Sequence, residues 1–167
     1  MPNVIFFYRI ARFLFRRKIP ILPDIIKGII FVLYNCNISY RASIGKNSEF
    51  LHKGMATLIL DNVIIGENCR IGMNVLIVGK GPYKNVPKIG NNVWIGPGAI
   101  LQGPLIIEDN VVIAPNAVVN NSIPKNMIVG GIPAKIIGNI SELDYDIFKN
   151  ESYKDGFAQF LEDKRKK

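Results

Sequence analysis

The chain has 167 residues, of which 49% are hydrophobic and 20% charged, enough to bury one core and not comfortably two. Its two cysteines, Cys36 and Cys69, exclude a disulfide-dense secreted scaffold and a four-cysteine zinc site, and its single histidine excludes a multi-histidine metal centre. The net charge of +8 points to phosphate-bearing partners, and residues 1–37 concentrate it, with six Lys/Arg against one acid.

The first segment, residues 1–37, reads as two amphipathic helices over 4–17 and 23–35. The stretch from Ile19 to Tyr34 is very apolar, but Pro20, Pro23, Asp24 and Lys27 interrupt it. It also falls short of the roughly 20 residues that cross a bilayer as a helix. No small-residue cleavage site follows an apolar run, so a signal peptide fits poorly. The chain is therefore expected in the cytoplasm. Two readings of the helices stay open. They pack on the rest of the domain or on a subunit neighbour, or they lie on the inner membrane surface, with Arg16, Arg17 and Lys18 behind Phe13 and Phe15.

A period of six runs through the middle of the chain. Stepping by six from Ile59 meets Ile65, Ile71, Ile77, Tyr83, Ile89, Ile95, Leu101, Ile107, Ile113 and Val119, all apolar or aromatic. Val63, Cys69, Val75, Val93, Ala99, Leu105, Val111, Ala117 and Ile123 fall four after the aliphatic. Asn68, Asn74, Asn92, Asn110 and Asn116 recur three after it, and glycine often follows it directly. Asparagine and glycine enter the left-handed backbone region at low cost. A helix repeats at 3.6 and a half-buried strand at 2. Six residues make a short strand and a sharp corner, and three such sides close a triangular coil. Ile38, Ile44 and Phe50 carry the same period, three extra residues sit at 51–58, and Gly79–Pro87 reads as a loop leaving the coil.

The repeats Ile65-Gly-Glu-Asn-Cys-Arg-Ile71-Gly, Ile89-Gly-Asn-Asn-Val-Trp-Ile95-Gly and Ile107-Glu-Asp-Asn-Val-Val-Ile113-Ala resemble those of the hexapeptide-repeat acyltransferases. The run from Ile128 to Ile137 is similar to the segment with which that family leaves its coil. The resemblance covers residues 38–138 and extends to the serine-acetyltransferase-like branch, which serves cysteine and surface-polysaccharide synthesis. It implies a left-handed parallel β-helix, against the usual right-handed crossover, and a homotrimer with active sites at subunit contacts.

The resemblance further implies transfer of an acetyl group from acetyl-CoA to a hydroxyl or amine, without a metal. A histidine acts as general base in that family, since an attacking hydroxyl must lose its proton and imidazole suits neutral pH. His52 is the only histidine, and it lies in the irregular stretch Phe50–Met55. Counted back from Ile65-Gly66, the family histidine falls on Lys53, and His52 takes the place of the preceding acid. The family's second histidine is Val86 here. Glu49, Asp61 and Glu67 are the nearby acids that could orient an imidazole, and the sequence does not choose among them. By motif position the resemblance assigns coenzyme A to Gly79, Pro97, Ala99, Pro115, Ala117, Asn120 and, for its phosphates, Lys135. Trp94 is expected to pack at a coil corner.

Residues 139–167 read as a tail, with Ser141 capping one short helix and a second helix over 157–161. Four basic residues at 164–167 are too few to imply nucleic acid. The expected activity is O-acetylation of a sugar in surface-polysaccharide synthesis. The basic, apolar first segment suits lipid-linked substrates, and the chain lacks the long N-terminal extension of full serine acetyltransferases. Serine is the alternative acceptor, and a non-catalytic trimeric scaffold is the alternative of another class.

Overall fold

The computed structural model describes residues 2–143 and Glu162. Two helices come first. Helix α1 (Val4–Arg16) starts at Asn3, whose Oδ1 accepts the Ile5 N–H at 3.2 Å. Helix α2 (Leu22–Tyr34) has Pro23 in its first turn and ends at Asn35, which takes a left-handed φ of 52°. Val4, Tyr8 and Ala11 of α1 and Ile30 and Tyr34 of α2 are buried. The Tyr8 hydroxyl donates to the Ala42 carbonyl at 2.7 Å, and the Arg12 guanidinium reaches the Tyr40 and Ala42 carbonyls. The helices thus close the open N-terminal end of a coil.

The coil is a left-handed parallel β-helix of about four turns. Face one holds β1 (Asn37–Ile38), β4 (Leu58–Ile59), β7 (Leu76–Val78), β10 (Ile100–Gln102) and β13 (Val118–Val119). Face two holds β2 (Ser43–Ile44), β5 (Ile64–Ile65), β8 (Lys88–Ile89) and β11 (Ile106–Ile107). Face three holds β3 (Glu49–Phe50), β6 (Arg70–Ile71), β9 (Trp94–Ile95), β12 (Val112–Ile113), β14 (Met127–Gly130) and β15 (Lys135–Asn139). Only the last pair, β14 with β15, is antiparallel. Each parallel two- or three-residue strand sends one large apolar residue inward, Phe50 on β3 and an aliphatic on the others, and Ile59, Ile65, Ile71, Ile77, Ile95, Leu101, Ile107 and Ile113 are among the largest fully buried side chains. Such a stack is most of the core, because each coil covers the next, and Val4, Tyr8, Ile30 and Tyr34 of the helices extend it at one end.

The corners explain the other repeating residues. Between faces two and three, Asn47, Asn68, Asn92, Asn110 and Asn126 all take positive φ, and Asn92, Asn110 and Asn126 bond side chain to side chain at 3.0 and 3.1 Å. Gly66 stands beside Gly90 so closely that a Cβ would overlap the Gly90 carbonyl.

Three details differ from the sequence reading. Tyr83 fits the count of six but is 60% exposed on the loop, and the interior passes from Ile77 straight to Ile89. Trp94 lies on the outer side of face three between Arg70 and Val112, not at a corner. After β15 comes a 3-10 turn, Ile140–Glu142, capped by Asn139 and not Ser141. The helix expected over 157–161 lies outside the described residues. Among those described, no helix is long and apolar enough to cross a membrane.

Candidate active site

Three edges run along the coil. The loop edge joins face one to face two, the asparagine edge joins two to three, and the return edge joins three to one. The return edge begins with a turn, Leu51–Gly54, in which His52 and Lys53 take φ of 49° and 64°. Both side chains are exposed. Above this turn the edge continues through Met73, Pro97 and Pro115. Asn74 N–H donates to the Met55 carbonyl at 2.8 Å, Gly98 N–H to Met73 at 3.0 Å and Asn116 N–H to Pro97 at 2.9 Å. Coils stack about 4.8 Å apart, so the column from His52 to Pro115 spans roughly 14 Å. The last corner, residues 131–134, leads into Lys135, which is exposed at the start of β15. His52, Pro97, Pro115 and Lys135 therefore share one edge.

Two other assigned residues lie elsewhere. Gly79 follows β7 and Asn120 follows β13, both on the loop edge across face one. Ala99 and Ala117 lie at return-edge corners. Both are fully buried in the coil, and the N–H of each donates to the corner carbonyl three residues back, at 3.2 and 3.3 Å. Their small size fits the narrow interior at a corner.

The turn that holds His52 is supported from beneath by the helices. Asn3 Nδ2 donates to the Phe50 carbonyl at 2.7 Å, and Ala56 N–H donates to the Tyr34 carbonyl at 3.2 Å. Gly54 has φ of 78°, and an added Cβ would sit 2.6 Å from Val4 Cγ1. The Cys36 thiol donates to the Gly54 carbonyl. Burial pushes both the Cys36 and the Cys69 thiol up, so neither is a thiolate nucleophile at neutral pH.

The three acids considered as partners of the imidazole are engaged elsewhere or lie on other edges. Glu49 Oε1 meets Arg70 Nε at 3.1 Å on face three. Asp61 accepts from the Ser39 hydroxyl at 2.5 Å on the loop edge, and Glu67 stands on the asparagine edge. No hydrogen bond joins any of them to His52 among the described residues.

Two features escaped the sequence reading. Met73 sits in the return-edge column between the His52 turn and Pro97, although the repeat marks it only as a corner residue. Lys84 and Lys88 line a cleft with Asn62, Val86 and Leu105 beneath the loop. Their signal was one lysine inside the loop at 79–87 and one directly after it.

Comparison with known proteins adds the following. The family described as bacterial transferase hexapeptide (six repeats) matches residues 87–121. The chain is 36% identical over 143 residues to a serine acetyltransferase of Staphylococcus xylosus, covering 81% of this chain and 63% of that one. The structure superposes on a serine acetyltransferase of Brucella abortus in complex with coenzyme A, with TM-score 0.75, 27% identity, and 81% and 54% of the two chains covered. It also superposes on a serine acetyltransferase of Neisseria gonorrhoeae in complex with serine, with TM-score 0.76, 25% identity, and 81% and 55% covered. The chain spans 54% to 63% of the length of the curated relatives it matches first. These relatives overturn the sugar acceptor. That expectation leaned on the first segment, whose helices close the end of the coil, whereas the relatives, matched over 78% and 81% of this chain, carry serine in their names.

Proposed function

The chain belongs to the hexapeptide-repeat transferases, and we propose that it moves an acetyl group from acetyl-CoA to the hydroxyl of serine. The return edge carries this reading. It presents the one imidazole of the chain at its lower end, small and proline corners along its length, and Lys135 at its top. A coenzyme A molecule laid along the edge has its thioester end toward His52 and its phosphates toward Lys135.

In the reaction His52 takes the proton of the serine hydroxyl as the oxygen attacks the thioester carbonyl. The tetrahedral intermediate collapses, the carbon–sulfur bond breaks, and the imidazolium returns the proton to the leaving thiolate. The products are O-acetylserine and coenzyme A. A general base of this kind contributes about 10²–10⁴-fold.

A homotrimer belongs to the same reading. From β4 to β13 the outward side of face one is aliphatic, with Leu58, Leu76, Ile100 and Val118 in register and half-buried in the single chain. Turning this face to a three-fold axis buries it in every copy. It also sets the return edge of one subunit beside the loop edge of the next, which unites His52, Pro97, Pro115 and Lys135 with Gly79, Asn120 and the lysines beneath the loop. Light scattering tests the assembly, with three chains expected, and a mass of one or two chains counts against it. Mass spectrometry of the product from acetyl-CoA and serine tests the reaction, with O-acetylserine expected and unchanged serine counting against it.

A further inference from the structure

A broad apolar surface lies on the two helices, on the side away from the coil. In α1, Phe6, Ile10 and Phe13 recur at i, i+4 and i+7, opposite the buried Val4, Tyr8 and Ala11. In α2, Leu22, Ile25, Ile29 and Val32 form a second stripe, and Leu33 adjoins it. Val32 is 81% exposed and Phe13 56%. Asp24 and Lys27 are the only charged residues of α2. Soluble proteins rarely leave a contiguous patch of this kind uncovered.

Charge surrounds the patch on one side. Arg9, Arg12 and Arg16 follow one another along the flank of α1 and line a groove with Lys46. Arg12 is taken up by the Tyr40 and Ala42 carbonyls. Arg16, Arg17 and Lys18 have no carboxylate partner among the described residues. An apolar face beside a row of unpaired cations matches a surface with hydrocarbon beneath and negative charge above.

We infer that the outer face of α1 and α2 lies on an anionic lipid membrane, with Phe6, Phe13, Ile25 and Val32 in the acyl boundary and Arg16, Arg17 and Lys18 at the headgroups. A second copy of the chain suits the face less well. An isologous contact sets the patch against itself, and residues 1–37 bring six Lys/Arg and one acid from each side. The coil axis strengthens the membrane reading. The helices close one end of the coil, so three coils side by side about a three-fold axis carry all three patches on the same side, and their attachments reinforce one another. This last point rests on the trimer proposed above; the face itself does not.

The test is co-sedimentation of the full chain with vesicles of phosphatidylcholine alone or mixed with phosphatidylglycerol, beside light scattering without vesicles. Wild-type chain is expected to pellet with the mixed vesicles and at least about tenfold less with the neutral ones. Val32→Asp is expected to abolish pelleting. Arg16→Glu with Arg17→Glu is expected to lose the preference for the mixed vesicles while keeping the wild-type melting temperature. Any of three results overturns the inference. The first is wild-type chain left in solution with mixed vesicles. The second is equal binding to both vesicle types. The third is a light-scattering mass that Val32→Asp halves with no vesicle binding, which assigns the face to a second copy. None of these depends on whether serine is acetylated.

Discussion

Asn3 Nδ2 donates to the Phe50 carbonyl at 2.7 Å, so the residue that caps α1 also holds the chain two residues before His52. One side chain thereby joins the helical cap of the coil to the turn that carries the candidate base. Asn3→Ala removes both bonds. A lost N-cap costs about 1 kcal/mol. Thermal denaturation is expected to report a loss of that order, and turnover is expected to fall further than the melting temperature explains. Unchanged turnover separates the helices from the site.

Gly54 and Gly28 make a contrasting pair. Gly54 has φ of 78°, and its missing Cβ leaves room for Val4 and Phe50. Gly54→Ala is expected to destabilise by about 1–3 kcal/mol, the scale of a strained backbone position. Gly28 lies inside α2 with nothing within 4 Å of an added Cβ. Gly28→Ala is expected to stabilise by about 0.5–1 kcal/mol. Denaturant midpoints check both signs, and the same sign for the two contradicts the packing described.

The period of six was legible because nearly every side of every coil sends one aliphatic inward, with Phe50 in that place on β3. Asparagine was legible for a related reason, since every corner between faces two and three turns on a left-handed asparagine. The edges were harder to read. Assigning a corner to an edge requires counting strands through the loop at 79–87, and Ile77 to Ile89 is twelve residues, so the loop leaves the phase intact and admits Tyr83 as a false interior position. Ala99 and Ala117 were ambiguous in sequence because smallness serves a narrow core as well as a close ligand. The acceptor misled because a basic, apolar N-terminal segment describes the end of the coil and says nothing about the return edge.

Alkaline pH is expected to weaken the fold. Burial raises Tyr8, Cys36 and Cys69 above their ordinary values. A raised value means that the folded chain holds these protons more tightly than the unfolded chain does. Their stabilisation is complete below the unfolded values of 9.0 for the thiols and 10.0 for the phenol, and it is lost as pH rises through the folded ones. Denaturation curves are expected to move to lower denaturant as pH climbs above 9.0. Cys69→Ser is expected to lessen that slope. A flat profile contradicts the burial.

Lys135 is assigned to the phosphates of coenzyme A. Lys135→Glu is expected to weaken coenzyme A more than an analogue without the 3′-phosphate, read by calorimetry. An equal loss for both ligands moves the charge contact to another group, with Lys84 and Lys88 the next to exchange.

The central claim is that His52 takes the proton of a serine hydroxyl. Serine-dependent release of coenzyme A from acetyl-CoA, followed through its thiol in wild-type chain and in His52→Ala, tests it most directly. Wild-type chain is expected to release thiol faster with serine than without it. His52→Ala is expected to lower that rate by about 10²–10⁴-fold while coenzyme A affinity stays near wild type. Serine-dependent release in His52→Ala at close to the wild-type rate contradicts the claim.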